Sequence, residues 1–117
     1  MQEHIQNELA SFIANCDWEK IAPHFKEDAA YRVLDWIGCA VAGEHYPQVE
    51  IAQKYFIENG DQGNSTVIGH QTKCSPRTAA FLNGIAGHVC ELDEGHRTAI
   101  GPPGSIAVPT ALALGEH

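Results

Sequence analysis

The chain of 117 residues is short of positive charge: Lys and Arg number seven against fifteen Asp and Glu, a formal net charge of −8. The seven are scattered, and no basic run occurs. A surface of this sign repels phosphate backbones and anionic membranes, so neither nucleic acid nor a membrane is expected as a partner. No C-x-x-C pair exists among Cys16, Cys39, Cys74 and Cys90. Reduced, partly buried thiols are expected instead of a disulfide framework, which points to a reducing compartment. No apolar run is long enough to cross a bilayer, and the most apolar one, "VLDWIGCAVAG", holds Asp35. A signal peptide is not expected either, because Glu3 and Glu8 stand where a positive n-region would be needed. A soluble, cytosolic protein is the expectation. Internal repeats and low-complexity segments are also missing.

What is present fits one small, mainly α domain. The apolar fraction of 44% is that of a folded chain. Ile5, Leu9, Phe12, Ile13 and Cys16 recur at helical spacing and predict a first helix over roughly Gln2 to Cys16. A second helix is expected from near Pro23, burying Ala30, Val33, Leu34, Ile37 and Val41. Small residues at its end, Gly38 to Gly43, suit the close approach of another helix. Each glycine costs about 1 kcal/mol in helix propensity, which implies a packing reason. Asp35 on this helix is expected to cap or pair within the bundle, and Trp18 and Trp36 read as core or helix-packing residues. His4, His24, His45 and His70 read as surface or loop residues.

A third helix is expected from about Pro47 to Asn59, with Gly60 as its left-handed cap. "STVIG" is the only candidate strand, on the β-branched Thr66, Val67 and Ile68. Ser75-Pro76 is a helix start, and the fourth helix should run through "RTAAFLNGIAGHVCEL". "GPPG" breaks regular structure, and Pro109 should sit in the first turn of a fifth helix, "PTALALGEH". The pattern stops with no cap, so an incomplete domain is expected, with helix faces that await partners. The expectation is four or five helices and at most one short strand.

The chemistry concentrates in "HVCELDEGHR", His88 to Arg97. From His88, Glu91 is turned by about 300° and Asp93 by about 140° if a helix continues. They share no narrow face on a rod. If the helix ends near Glu91, the chain can turn, eased by Gly95, and gather Glu91, Asp93 and His96 round one cleft. Clustered carboxylates and imidazoles separate acid from base roles at neutral pH. The plainer alternative is a solvated acidic helix end, which opposes the helix dipole by a few tenths of a kcal/mol. A metal site would draw on His88, Cys90, Asp93 and His96, but their spacing matches no standard zinc pattern, so no metal is expected. His88 taken alone reads as a satisfied, partly buried histidine. Asn83 is expected either to bond across a helix interface or to face the cleft. In "IGPPGS", the backbone N–H groups of Gly101, Gly104 and Ser105 offer an anion nest, or else the loop is merely rigid. Carboxylates beside an anion nest suit removal of a proton next to a carboxylate of a small organic acid.

"YRVLDWIGCAVAG", "STVIG", "AAFLNGIAGHVCELDEGHR" and "GSIAVPTALALGE" occur in the order seen in the MmgE/PrpD family, which the chain resembles from roughly Ala29 to its end. The run from Ala79 to Glu116 is the most specific part. That family includes 2-methylcitrate dehydratase, cis-aconitate decarboxylase and iminodisuccinate epimerase. The resemblance implies the N-terminal piece of a longer homodimeric enzyme, with a large all-helical domain and a smaller α+β domain outside residues 1–117. It implies a lyase or isomerase that needs no metal or organic cofactor and acts on a small polycarboxylate. The family's acidic motif falls on Glu91 to Glu94, and Glu91 matches an active-site position of the decarboxylase branch. That branch has Thr at Gly95, whereas "LDEGHR" is similar to a branch with Gly-His-Arg. Where the family has a catalytic His before the loop Pro, this chain has Pro102. The family's later lysine, histidine and tyrosine site positions lie beyond His117. The expected catalytic residues are thus Glu91, Asp93 and His96, with substrate held by Arg97, Gly101, Gly104, Asn83 and His88. The alternative is a non-catalytic helical scaffold, which Pro102 favours.

Overall fold

The computed structural model describes residues 2–98 and 100–117. Ala99, within the expected loop, lies outside them. The fold is mainly α. Among the described residues the helices are α1 (Gln2–Ala14), α2 (Pro23–Gly43), α3 (Pro47–Glu58), α4 (Pro76–His88) and α5 (Gly104–Gly115), with a short 3-10 turn at Trp18–Lys20. No described helix is long and apolar enough to cross a membrane. The chain divides into two compact units, residues 1–30 and 31–117.

In the first unit, α1 ends at Ala14, two residues earlier than the apolar stripe suggests. Asn15 closes it by donating from Nδ2 to Ser11 O at 2.7 Å. Asp17 then caps the 3-10 turn, accepting from the Glu19 N–H at 3.1 Å. The stripe residues Ile5, Leu9, Phe12 and Ile13 are exposed. Trp18, expected as a core or helix-packing residue, is also exposed and lies under the Lys26 ammonium, 4.9 Å from the ring centre. A cation over an indole face is favourable at a wet site, so this Trp is usable without burial.

The second unit holds the core. α4 runs through its middle, and α5 packs most extensively on it. One cluster joins Val67, Cys74, Ala79, Leu82 and Ala113. The other joins Trp36, Ala40, Val49 and Ala86. The buried face of α2 is Trp36, Cys39, Ala40 and Gly43, whereas Leu34 and Val41 of the expected face are exposed. Close packing decides this rotation. A Cβ on Gly43 would collide with Ala86 O, and one on Gly87 with the Trp36 indole. The small residues of α2 and α4 therefore let a large indole lie between them, and Trp36 is 1% exposed. Asp35 is turned outward instead of pairing within a bundle.

The helix starts and stops follow local chemistry. Gly60 has φ +77° just past α3, as expected of a left-handed cap. Ser75 Oγ accepts from the Thr78 N–H at 3.4 Å, and Pro76 opens α4. α5 starts at Gly104, five residues before Pro109, which is buried inside the helix. The missing proline N–H leaves Ser105 O without its helical donor. Gly84 faces that carbonyl: a Cβ there would come within 3.2 Å of it.

"STVIG" makes no strand. Ser65 and Cys74 form one isolated bridge. Three neighbouring backbone groups, the Thr66 N–H and carbonyl and the Ile68 N–H, are taken by side chains, and Val67 O accepts from the His70 N–H at 3.1 Å. Asn83 donates from Nδ2 to Thr66 O at 2.9 Å and accepts from the Ile68 N–H at 2.8 Å. Glu116 accepts from the Thr66 N–H and hydroxyl, and Ser65 Oγ donates to Ala113 O at 2.7 Å. With these groups satisfied, β-propensity has no partner strand to act through.

Candidate active site

α4 ends at His88, three residues before Glu91, whose N–H turns back to His88 O at 2.8 Å. Glu91 has φ +51°, a left-handed conformation that a residue with a Cβ rarely adopts. Glu91 itself makes the bend expected at Gly95. Backbone strain of this kind, at about 1–3 kcal/mol, gathers at functional sites. Beyond it the chain forms a tight turn. The His96 N–H donates to Gly101 O at 2.9 Å, the Ile100 N–H donates to His96 O at 2.8 Å, and Ile100 is also left-handed at φ +52°.

This bend and turn wall a cavity of about 450 Å³. His88, Glu91, Asp93, His96, Arg97 and Gly101 line it, with Glu94 and Pro102 beside them. Six of the eight expected site residues are therefore brought together. Asn83 is not among them, since both ends of its amide clamp the 66–68 loop from inside the core. Gly104 is also elsewhere. It is buried at the start of α5, against the Glu94 carboxylate, which a Cβ there would meet at 2.9 Å. The positive end of α5 thus already has a carboxylate beside it. Glu94 is held in turn by the Arg32 guanidinium at 2.5 Å.

Asp93 is the best-anchored group. Its side chain is 3% exposed. Ser105 Oγ donates to Oδ2 at 2.5 Å, and His88 Nδ1 lies 3.0 and 3.1 Å from Oδ1 and Oδ2. Ser105 Oγ also accepts from the Trp36 indole N–H at 3.2 Å. Burial pushes the Asp93 carboxyl upward, but the Ser105 hydroxyl and His88 outweigh it and hold the group below the usual carboxylate range. The side chains of Trp36, Ser105 and Arg32 brace the site in ways the sequence pattern does not mark, since Ser105 enters that pattern only through its backbone N–H. The only hint in the sequence is that Ser105 and Trp36 are polar-tipped residues amid small apolar ones.

Among the described residues, no group of three or more His, Cys, Asp or Glu side chains converges as a metal site. The four cysteines are free, with Cys39 and Cys74 buried, Cys90 half-buried and Cys16 exposed. Burial raises the Cys39 and Cys74 thiols, which makes them poor nucleophiles. A larger groove, about 1160 Å³, lies in the first unit along Phe12, Cys16, Ile21 and Phe25. Its walls lack a buried, oriented acid–base pair, so it does not compete as a reaction site.

Residues 7–117 match the model of the MmgE/PrpD N-terminal domain. The chain is also 29% identical over 113 residues to a "cis-aconitate decarboxylase-like protein oryM" from Aspergillus oryzae (strain ATCC 42149 / RIB 40). That match takes in 97% of this chain and 23% of the relative.

Proposed function

This chain belongs to the MmgE/PrpD family, and on that footing we propose that it forms part of a lyase or isomerase that removes a proton next to a carboxylate of a small polycarboxylic acid. The relative's name makes a tricarboxylate of the cis-aconitate type the first candidate. The observation that carries this reading is the left-handed Glu91, three residues past the end of α4, at the bend where imidazole, carboxylate and guanidinium groups line one cavity. Arg97 offers a planar, permanently charged fork for a substrate carboxylate. Charge that develops on that carboxylate as the proton leaves is then met by a permanent cation. Glu91 and His96 supply further acid–base capacity on the same wall. The work would need no organic cofactor. A homodimer, a cytosolic location, and residues outside 1–117 that complete the site belong to the same proposal.

One observation favours a second reading, a non-catalytic helical scaffold. Pro102 lines the cavity with a side chain that can neither bond nor titrate. The two readings separate in one experiment on the full-length protein. Small polycarboxylates are incubated with it in D2O, and deuterium at the carbon next to the carboxylate is followed by 1H NMR. Exchange by the wild type supports the enzyme. Exchange by Pro102→His alone, with a silent wild type, supports the scaffold.

A further inference from the structure

The cavity holds two imidazoles, His88 and His96. His96 is exposed, and its backbone is pinned to Gly101. His88 is pinned through its ring, with Nδ1 at 3.0 Å from Asp93 Oδ1. Its side chain remains 54% exposed while Asp93 behind it is buried.

The hydrogens along this chain of groups have one consistent arrangement. An indole N–H can only donate. Ser105 Oγ therefore accepts from Trp36 and spends its own hydrogen on Asp93 Oδ2. The carboxylate can only accept, so the hydrogen between it and His88 belongs to Nδ1. The neutral ring then carries its lone pair on Nε2, on the side away from Asp93. His88 and Pro102 also line a second cavity of about 620 Å³, with Phe81 and Ile106 on its apolar walls. His88 thus lines both a polar cavity and an apolar one. The charged and titratable groups around it are Asp93, Glu91, Glu94, His96 and Arg97.

We propose that Nε2 of His88 is the base that takes the substrate proton, with Asp93 as a positioning residue that acts through it. This assignment rests on the lyase or isomerase reading above. In the step, the Nε2 lone pair forms the new N–H bond and the substrate C–H bond breaks. The C–H electron pair stays on the substrate and spreads into its carboxylate, opposite Arg97. His88 becomes an imidazolium whose charge Asp93 neutralises. The same Nε2–H then returns the proton, either to carbon or to a departing group, so no oxidant or second reactant is needed.

The test is deuterium exchange by the full-length protein with His88→Gln and His88→Ala. Exchange should fall by about 10²–10⁴-fold in both, the weight of a positioned acid–base group, with KM within about threefold. Added imidazole should restore part of the rate in His88→Ala. The 15N NMR signals of His88 in the wild type give a readout independent of turnover, with Nδ1 protonated and Nε2 bare. A wild type that exchanges beside an equally active His88→Gln overturns this assignment alone. The opposite tautomer in the wild type overturns it as well. A wild type without exchange on any polycarboxylate overturns both this step and the reading beneath it.

Discussion

The Trp36 indole N–H donates to Ser105 Oγ, 69 positions further along the chain, at 3.2 Å in the buried core. One contact thereby ties the packing of α2 against α4 to the chemistry of the helix end. The indole fills the gap left by Gly87, and its N–H fixes which way the Ser105 hydroxyl points. Removing the hydroxyl strands a buried donor. Ser105→Ala should therefore lower stability by about 1–3 kcal/mol, the cost of an unpaired buried polar group. Equilibrium urea unfolding checks this, with the midpoint expected to fall at unchanged slope. Trp36→Ala should cost more, about 3–5 kcal/mol, because it also empties the core.

Acid should weaken the second unit through Asp93. Its carboxyl titrates lower in the fold than in the unfolded chain, where the value is about 3.9. A depressed carboxylate stabilises the fold fully above the unfolded value. That contribution is lost as pH falls through the folded value. Unfolding free energy measured from pH 6 downward should thus decline below about pH 4. Asp93→Asn should flatten that decline while lowering stability at neutral pH.

Asn83 should behave as a clamp. Asn83→Leu keeps the branching at Cγ and removes both bonds to the 66–68 loop. The Ile68 amide should then exchange hydrogen faster, while the amides of α3 change little. Destabilisation of about 1–3 kcal/mol per stranded backbone group is expected. An Ile68 amide as protected as in the wild type would contradict the clamp.

Features set within a few residues were legible in the sequence. Gly60 after α3 and Ser75-Pro76 before α4 announce themselves because capping is local chemistry. The gathering of acidic and basic groups after α4 was legible too, because those residues cannot share one face of a rod. Features set by distant partners were not. The buried face of α2 follows from how Trp36 fits beside Gly87, and apolar spacing alone leaves Leu34 and Val41 equally eligible. "STVIG" has the composition of a strand, yet Asn83 and Glu116 take the backbone groups a neighbour would have used. Pro109 reads as a first-turn residue, but α5 runs through it because Gly84 leaves room at the Ser105 carbonyl. Within the site, Asp93 was marked as a titrating group. Nothing in its spacing showed that Ser105 and His88 would consume it.

The central proposal is that the cavity at the end of α4 deprotonates a polycarboxylate. The most direct measurement is deuterium uptake at the carbon next to a tricarboxylate's carboxylate, by the full-length protein and by its Glu91→Ala and Asp93→Ala variants. The expected result is steady uptake by the wild type and a fall of about 10²-fold or more in each variant. Uptake at the wild-type rate in both variants would contradict it.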